Sequence, residues 1–254
     1  MVGRRISRVL VHDRRLRWPV DPKLATTVAG ARLLRAGRRA KYLLLETDAG
    51  TLILHLGMSG SLRVLPIETQ RIAHDHVDIE LDSGSTLRFN DPRRFGSLFF
   101  TADDVAKHPL LKHLAPEPLG DDFNAEYLHR VTRRRSAAIK QVIMNSRLVT
   151  GVGNIYASEA LFRARIRPRR AARSLSLKDC ARLVRAIKAT LAMAVKVGGT
   201  TLRDYVGADG NPGYFRQKLY VYERAGKACR VCGNPIKHFT QGQRSTYWCA
   251  YCQK

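Results

Sequence analysis

Four cysteines near the end of the chain form two Cys-x-x-Cys pairs, Cys229 with Cys232 and Cys249 with Cys252. Each pair places two thiolates on one side of a tight turn, and the four sulfurs of two pairs can complete a tetrahedron around zinc. Sulfur then fills every coordination position and leaves none for a water molecule. The spacing therefore predicts one structural Zn²⁺, which folds this segment and takes no part in chemistry.

The alternative for these cysteines is a pair of disulfides in a secreted domain. No signal peptide is recognisable in the sequence, and two-residue spacing suits a metal site better, so we expect zinc and a reducing compartment. The fifth cysteine, Cys180, lies on the apolar face of a predicted helix. It is expected to be a buried, inert thiol.

The residues between the two cysteine pairs have the pattern of a β-hairpin. Gly233-Asn234-Pro235 predicts a turn, Gly242 predicts a second turn, and Thr246-Tyr247-Trp248 alternates as a strand does. The predicted tip of this hairpin is Gln243-Arg244-Ser245. The function of the finger is expected to reside in these tip residues.

The composition is strongly basic and indicates a polyanionic partner. The 254 residues carry 45 Lys and Arg against 21 Asp and Glu, a net charge of +24, and residues 130–173 hold twelve of these cations with Glu159 as their only acid. A membrane surface is the competing polyanion, but no apolar run reaches the ~18 residues of a spanning helix, and no basic amphipathic terminus is present. Nucleic acid is therefore the expected partner, and no membrane.

The first part of the chain predicts β-structure. Residues 1–41 are basic and turn-rich, with one short strand beginning at Ile6. Many short strands separated by Gly, Asp and Ser turns predict a β-sandwich or barrel. The expected strands in this region are 42–46, 51–56, 61–65, 76–81, 86–89 and 97–100.

After Pro116-Glu117-Pro118 the apolar period becomes helical. Asp121-Asp122 is the expected cap of the first helix, and Ser176 with Asp179 predicts a capping box for the last, which should stop at Gly198-Gly199. The Gly-rich residues 200–218 predict a flexible loop of the kind that covers functional sites. Further helical segments are expected at 139–143 and 155–164.

Five motifs occur in one order: His55-Leu-Gly-Met-Ser-Gly60, Asn90-Asp-Pro-Arg-Arg-Phe-Gly96, Gly151-Val-Gly-Asn-Ile-Tyr-Ala-Ser-Glu159, Asp209-Gly-Asn-Pro-Gly-Tyr214 and the four-cysteine finger. Together they resemble the bacterial formamidopyrimidine-DNA glycosylases over nearly the whole chain. The resemblance implies an α+β multidomain protein. Its domains would be an N-terminal β-sandwich without its first helix (1–112), a helix-two-turns-helix DNA-binding domain with a lesion-capping loop at 200–218 (113–218), and a zinc-finger β-hairpin (219–254).

The resemblance also assigns roles to individual residues. Met58 and Phe95 would fill the space left by an extruded base, and Arg93 would hydrogen-bond the orphaned cytosine on the opposite strand. For Met58 and Phe95 the alternative is ordinary core packing. Their positions beside glycines favour exposed loops.

A second set of residues is expected to bind the DNA backbone. Asn154 would offer its amide and neighbouring backbone N–H groups to a phosphate, although it could equally be a helix cap. Arg244 would hold phosphates beside the lesion, and Lys41 would contact the backbone near the reacting sugar. His74 and Lys140 complete the predicted DNA-binding residues.

The catalytic residues are the point at which the sequence departs from the resemblance. In the family, an N-terminal proline attacks C1′ of the sugar and the following glutamate handles protons. This chain begins Met1-Val2-Gly3-Arg4, without that pair. Either the natural start lies upstream, or the protein is a shortened binder of damaged DNA; Lys41 is the remaining candidate catalytic amine.

The resemblance therefore predicts a base-excision-repair DNA glycosylase and abasic-site lyase. It would remove 8-oxoguanine and formamidopyrimidines from double-stranded DNA and cut the strand by β,δ-elimination, as a monomer in the cytoplasm on the nucleoid. One alternative is a non-catalytic damaged-DNA-binding protein. Another is a ribosome-associated zinc-ribbon protein, which explains the charge and the cysteines but not Met58, Arg93 and Phe95.

Overall fold

The computed structural model describes residues 1–197 and 219–254. These residues divide into two compact units, 1–112 and the remainder from residue 113 onward. The predicted loop 200–218 and the helix stop at Gly198-Gly199 lie outside the described residues. Among the helices that the structure describes, none has both the length and the apolar character needed to cross a membrane.

The first unit is a β-sandwich, as predicted. Two four-stranded antiparallel sheets have the strand orders β1-β6-β7-β5 and β2-β3-β4-β8, and apolar side chains such as Leu52, Leu54 and Phe89 form its buried core. Its elements are β1 (Ile6–Val11), α1 (Leu24–Val28), β2 (Leu33–Arg39), β3 (Tyr42–Thr47), β4 (Gly50–His55), β5 (Ser61–Pro66), β6 (Asp75–Leu81), β7 (Ser85–Asn90) and β8 (Ser97–Thr101).

Strand β2 and helix α1 were not predicted from the sequence. β2 is an edge strand whose only buried residue is Leu33, so it lacks the alternating apolar pattern that marks a half-buried strand. Its cations are accommodated by cross-strand pairing, since Arg35 forms an ion pair with Glu46 of β3 at 2.8 Å. This basic segment, for which the sequence predicts turns, is thus the charged edge strand of a sheet. Charged residues on an edge strand suppress its pairing with the edge strand of another molecule.

The second unit is helical and ends in a β-hairpin. The predicted capping box of the last helix is confirmed, because the Ser176 hydroxyl accepts from the Asp179 N–H and the Asp179 carboxylate accepts from the Ser176 N–H. The predicted cap at Asp121-Asp122 is wrong: the side chain of Asn124 accepts from the Tyr127 N–H instead. The elements are α2 (Ala125–Thr132), α3 (Ile139–Ile143), α4 (Asn154–Arg163), α5 (Leu177–Lys196), β9 (Lys237–Gln241) and β10 (Arg244–Trp248).

The core of the second unit is formed where α2, α3, α4 and α5 pack together. Leu128, Ile143, Leu161 and Leu183 are buried in one cluster. Cys180 belongs to the same cluster and is fully buried, and burial raises the pKa of its thiol. The fifth cysteine is therefore a buried apolar residue, as predicted.

Glu159 of α4 joins the helices to the segment that leads into the hairpin. Its side chain is 1% exposed, and its carboxylate accepts hydrogen bonds from the backbone N–H groups of Tyr220, Val221 and Tyr222, each at 2.9 Å. A buried carboxylate is costly unless such donors satisfy it. The one acid in this basic stretch is thus a structural anchor.

We expect Glu159→Gln to destabilise the second unit. The neutral amide turns its own N–H donors toward at least one of the three backbone donors, which is left without an acceptor, at a cost of about 1–3 kcal/mol. The melting temperature should fall, and hydrogen exchange at residues 220–222 should become faster. Glu126→Gln is the matched control, since Glu126 is exposed on α2; equal effects of the two substitutions would contradict the anchoring role.

Candidate nucleic-acid interface and zinc centre

Two loops of the sandwich carry the predicted base-replacing residues. Met58, between β4 and β5, is 63% exposed, and Phe95, between β7 and β8, is 43% exposed. The Arg93 guanidinium lies 4.9 Å from the centre of the Phe95 ring, a distance that allows a cation–π interaction. The core-packing alternative for Met58 and Phe95 is therefore wrong.

A buried carboxylate, Asp91, ties these two loops together. Its Oδ1 accepts from the Ser59 hydroxyl at 2.6 Å and its Oδ2 accepts from the Gly96 N–H at 2.7 Å. The Ser59 oxygen in turn accepts from the backbone N–H of Arg93 at 3.2 Å. The side chains on both loops are consequently presented by one connected network rather than by two independent loops.

Glycine allows the same two loops to approach each other closely. Gly57 has φ +66°, and a Cβ there would lie 2.5 Å from the carbonyl carbon of Phe95. A Cβ at Gly96 would lie 2.8 Å from the His55 carbonyl oxygen and 2.9 Å from Asp91 Oδ2. Any side chain at either position would force the loops apart.

Lys41 lies at the tight turn between β2 and β3 and is exposed. His55, at the end of β4, was not singled out from the sequence, although it begins the first motif. Its Nδ1 accepts from the Gly57 N–H at 3.0 Å, and burial, with the charges of Lys41 and Arg17, lowers its pKa. His55 is therefore a neutral ring that supports the Met58 loop. His74 is exposed with φ 71°, a conformation that a non-glycine residue adopts at a cost.

In the second unit, Asn154 is the first residue of α4. The N-cap is Gly153, and no side chain caps this helix, so the helix-cap alternative for Asn154 is wrong. Its Nδ2 donates to the Ser245 carbonyl at 3.1 Å and to the Tyr222 hydroxyl at 3.2 Å. The side chain fixes the corner before α4 to the hairpin, and the helix N-terminus keeps its partial positive charge.

Lys140 lies beneath the hairpin and is 1% exposed. Its ammonium donates to the Ser245 carbonyl at 2.9 Å and to the Thr246 hydroxyl at 2.7 Å. Burial and the charge of Arg244 lower its pKa to about 8. The structure thus gives Lys140 a supporting contact with strand β10, and its contact with DNA stays a prediction.

The hairpin turns at Gly242-Gln243, because Gln241 pairs with Arg244 across the two strands. Both turn residues have positive φ, +54° and +58°, as a two-residue type I′ turn requires. Arg244 and Ser245 therefore begin β10 rather than forming the tip itself. The exposed Arg244 side chain stands beside the turn, on a rigid strand.

The four predicted metal ligands converge at the base of the hairpin. The sulfur atoms of Cys229, Cys232, Cys249 and Cys252 all lie within 4.8 Å of one another, the one such group among the residues that the structure describes. Two of the separations are 3.4 Å and 4.0 Å, whereas a zinc–sulfur bond of about 2.3 Å gives a tetrahedral edge of about 3.8 Å. The arrangement fits one Zn²⁺ and is too open for disulfides.

The electrostatics of the four thiols also favour a cation. Burial raises the pKa of Cys249, and burial with the neighbouring sulfurs raises that of Cys252. Against the effect of burial, hydrogen bonds from Asn234 lower the pKa of Cys232 to about 6. Ionisation of Cys249 and Cys252 beside the Cys232 thiolate therefore requires a bound cation that compensates the charge. When bound, zinc would hold the two Cys-x-x-Cys pairs together.

Known families match all three parts of the chain. The formamidopyrimidine-DNA glycosylase N-terminal domain matches residues 1–98, and the H2TH domain of the same enzymes matches residues 114–206. A zinc finger found in FPG and IleRS matches residues 226–254.

Curated relatives and solved structures agree with these matches. The formamidopyrimidine-DNA glycosylases of Idiomarina loihiensis and Thioalkalivibrio sulfidiphilus are each 56% identical, over 99% and 100% of this chain and 93% and 94% of their own.

Among solved structures, the MutM (Fpg) protein of Thermus thermophilus is 38% identical with a TM-score of 0.87, over 100% of this chain and 92% of its own. Lactococcus lactis Fpg, in complex with DNA containing an abasic site, is 30% identical with a TM-score of 0.89, over 100% and 94%. The chain belongs to the formamidopyrimidine-DNA glycosylases, base-excision-repair enzymes that act on damaged bases and abasic sites.

Proposed function

We propose that this protein removes oxidised purines, 8-oxoguanine and formamidopyrimidines, from duplex DNA and then cuts the strand by β,δ-elimination. The observation that carries the proposal is the network of Asp91, which presents Met58, Arg93 and Phe95 together on two exposed loops. Binding to an intact duplex does not require two exposed apolar side chains beside an arginine, whereas replacement of an extruded base does. We further propose that it acts as a monomer on the nucleoid.

The chemistry of these three side chains suits base extrusion. Moving a base out of the helix costs a few kcal/mol of stacking and pairing. Met58 and Phe95 supply apolar surface that can fill the vacated space, and the Arg93 guanidinium supplies donors for the acceptor edge of the partner base. The resemblance names cytosine as that partner base.

The backbone contacts would hold the bent duplex in place. Arg244 projects beside the hairpin turn, and α4, which begins at Asn154, presents the partial positive charge of its N-terminus. Both are suited to phosphate oxygens. Because Asn154 and Lys140 bind the same carbonyl of Ser245, the two phosphate-binding elements are fixed to each other.

The alternative is a binder of damaged DNA that does not cleave it. Excision by the family's route requires an unprotonated amine at C1′ of the sugar and a second group that moves protons. The exposed Lys41, at the turn between β2 and β3, is the amine that the sandwich supplies. Chemistry, rather than binding, therefore separates the two candidate functions.

Zinc is expected at one ion per chain, and its removal should abolish tight DNA binding. Without the metal, the hairpin that carries Arg244 loses the restraint at its base. Elemental analysis measures the stoichiometry, and titration with a labelled abasic-analogue duplex measures the affinity before and after chelation. Cys252→Ser should reproduce the loss, whereas Cys180→Ser should retain zinc; a folded, zinc-free protein of unchanged affinity would disprove the assignment.

Arg93→Ala and Arg244→Ala are expected to have different effects. Loss of Arg93 should reduce discrimination between opposite bases, by about 1–3 kcal/mol, because its guanidinium reads a base edge. Loss of Arg244 should weaken binding to every duplex about equally and reduce the salt slope by about 1. Binding to duplexes with each of the four opposite bases tests this, and identical profiles for the two variants would refute the roles.

Borohydride trapping separates catalysis from binding. We expect the 254-residue polypeptide itself to form little or no trapped complex on 8-oxoguanine DNA, because the family's amine and carboxylate pair is not in it. On a pre-formed abasic site, slow trapping through Lys41 is expected and should vanish in Lys41→Ala.

The matched comparison is the same polypeptide preceded by a Met-Pro-Glu segment built on the family pattern. Both excision and trapping should be efficient in that form. Efficient trapping on 8-oxoguanine DNA by the 254-residue polypeptide would show that another amine is the nucleophile.

A further inference from the structure

One face of the zinc-finger hairpin carries aromatic rings that support arginines from outside the hairpin. Residues directly opposite each other in an antiparallel pair share a face, and alternate pairs lie on the same side. Lys237 pairs with Trp248, Phe239 with Thr246, and Gln241 with Arg244. These three pairs therefore define one face of the hairpin. Thr246 in its middle is buried against Lys140, whereas Lys237 and Arg244 are exposed and Phe239 is half-buried.

Two arginines of the loop after α4 stack on the rings of this face. The Arg169 guanidinium lies 3.9 Å from the centre of the Phe239 ring, and that of Arg167 lies 5.0 Å from the Trp248 ring. Both arginines are exposed, while Trp248 is buried. The contacts with the rings restrict the two exposed guanidiniums, which lowers the entropy lost when they bind an anion.

The loop that supplies these arginines is itself fixed by backbone hydrogen bonds. The Arg167 N–H donates to the Lys254 carbonyl at 3.1 Å, and the Pro168 and Arg170 carbonyls accept from the first residues of α3 at 3.3 Å and 2.8 Å. Gln253 also donates to the Ile166 carbonyl at 2.9 Å. The two arginines thus belong to a loop that is hydrogen-bonded to α3 and to the residues after the second Cys-x-x-Cys pair.

Acidic residues are missing from the surroundings of this face in the sequence. Residues 160–178 and 224–254 contain no Asp or Glu. In the described part of the chain neither Arg167 nor Arg169 forms an ion pair. Two neighbouring arginines that form no ion pair with described residues contribute little to folding stability. Their placement is better explained by the binding of an external anion.

We propose that Arg167 and Arg169 extend the phosphate-binding surface of the finger from Arg244 along the hairpin, so that the finger binds a run of phosphates on one DNA strand. From Trp248 to Arg244 the strand covers roughly 13 Å, a length that can span more than one phosphate of a DNA strand. Lys237 lies on the same face and adds a further cation. The inference rests on the proposed DNA-binding function and names a surface outside the base-replacing loops.

The test is the salt dependence of binding to an abasic-analogue duplex by the full chain with zinc. Each lost phosphate contact should reduce the slope of log affinity against log salt by about 0.9. The double variant Arg167→Gln/Arg169→Gln should therefore have a slope smaller by about 1.8 and a severalfold lower affinity at low salt.

The control for charge alone is Lys178→Gln/Arg185→Gln, which removes the same two charges from exposed positions of α5. This control should leave the slope close to that of the parent chain. If both double variants shift the slope equally, or if neither does, the proposed phosphate row is wrong. Failure of the parent chain to prefer the abasic analogue over intact duplex would instead count against the proposed function itself.

Two further variants keep the test valid if the double Gln variant folds poorly. Arg167→Lys/Arg169→Lys retains the charges but not the planar stacking, and should keep the slope with a weaker affinity. Phe239→Leu keeps an apolar side chain but removes the platform of Arg169, and should reduce affinity without changing the charge. Equal affinity of both variants and the parent chain, with zinc content and melting temperature preserved, would overturn the role of the rings.

Discussion

The second unit depends on the pairing of one buried carboxylate with three backbone donors. Glu159 receives the N–H groups of Tyr220, Val221 and Tyr222, and Tyr222 in turn binds Asn154 at the corner before α4. Because the hairpin follows this segment, Glu159 determines where the finger stands relative to the helices. The zinc then fixes the shape of the finger, and Glu159 fixes its position.

In the first unit, too, a buried carboxylate positions neighbouring segments by accepting hydrogen bonds. Asp91 is fully buried, and its two oxygens bind groups from different loops, as those of Glu159 bind successive amides. In both units, a carboxylate that forms no ion pair with any described residue is satisfied by hydrogen-bond donors, which restrict geometry more than an ion pair does. The residues that would touch DNA are therefore positioned by acids that do not touch it.

Much of this arrangement was predictable from the sequence, and the part that was not has a physical cause. Cysteine spacing predicted the zinc ligands, and apolar alternation predicted the strands between residues 42 and 100. Strand β2 was missed because an exposed, arginine-rich edge lacks alternation. The partners of Asp91 and Glu159 were also beyond prediction, since Ser59 and Tyr220 are distant in sequence and only the tertiary fold brings them together. The same holds for Lys140, whose burial no local pattern indicated.

The excess of positive charge imposes a further constraint on the whole molecule. With a net charge of +24, self-repulsion disfavours the compact state, yet several of the few acids are buried as acceptors instead of being spread over the surface. Arg88 with Asp75 and Asp78 is one such buried group, with separations of 3.6 Å and 2.8 Å. Added salt should relieve the repulsion while weakening contacts with DNA. A bound duplex removes this conflict, because its phosphates screen the surface cations at the place where they are concentrated, and binding to the folded state stabilises it.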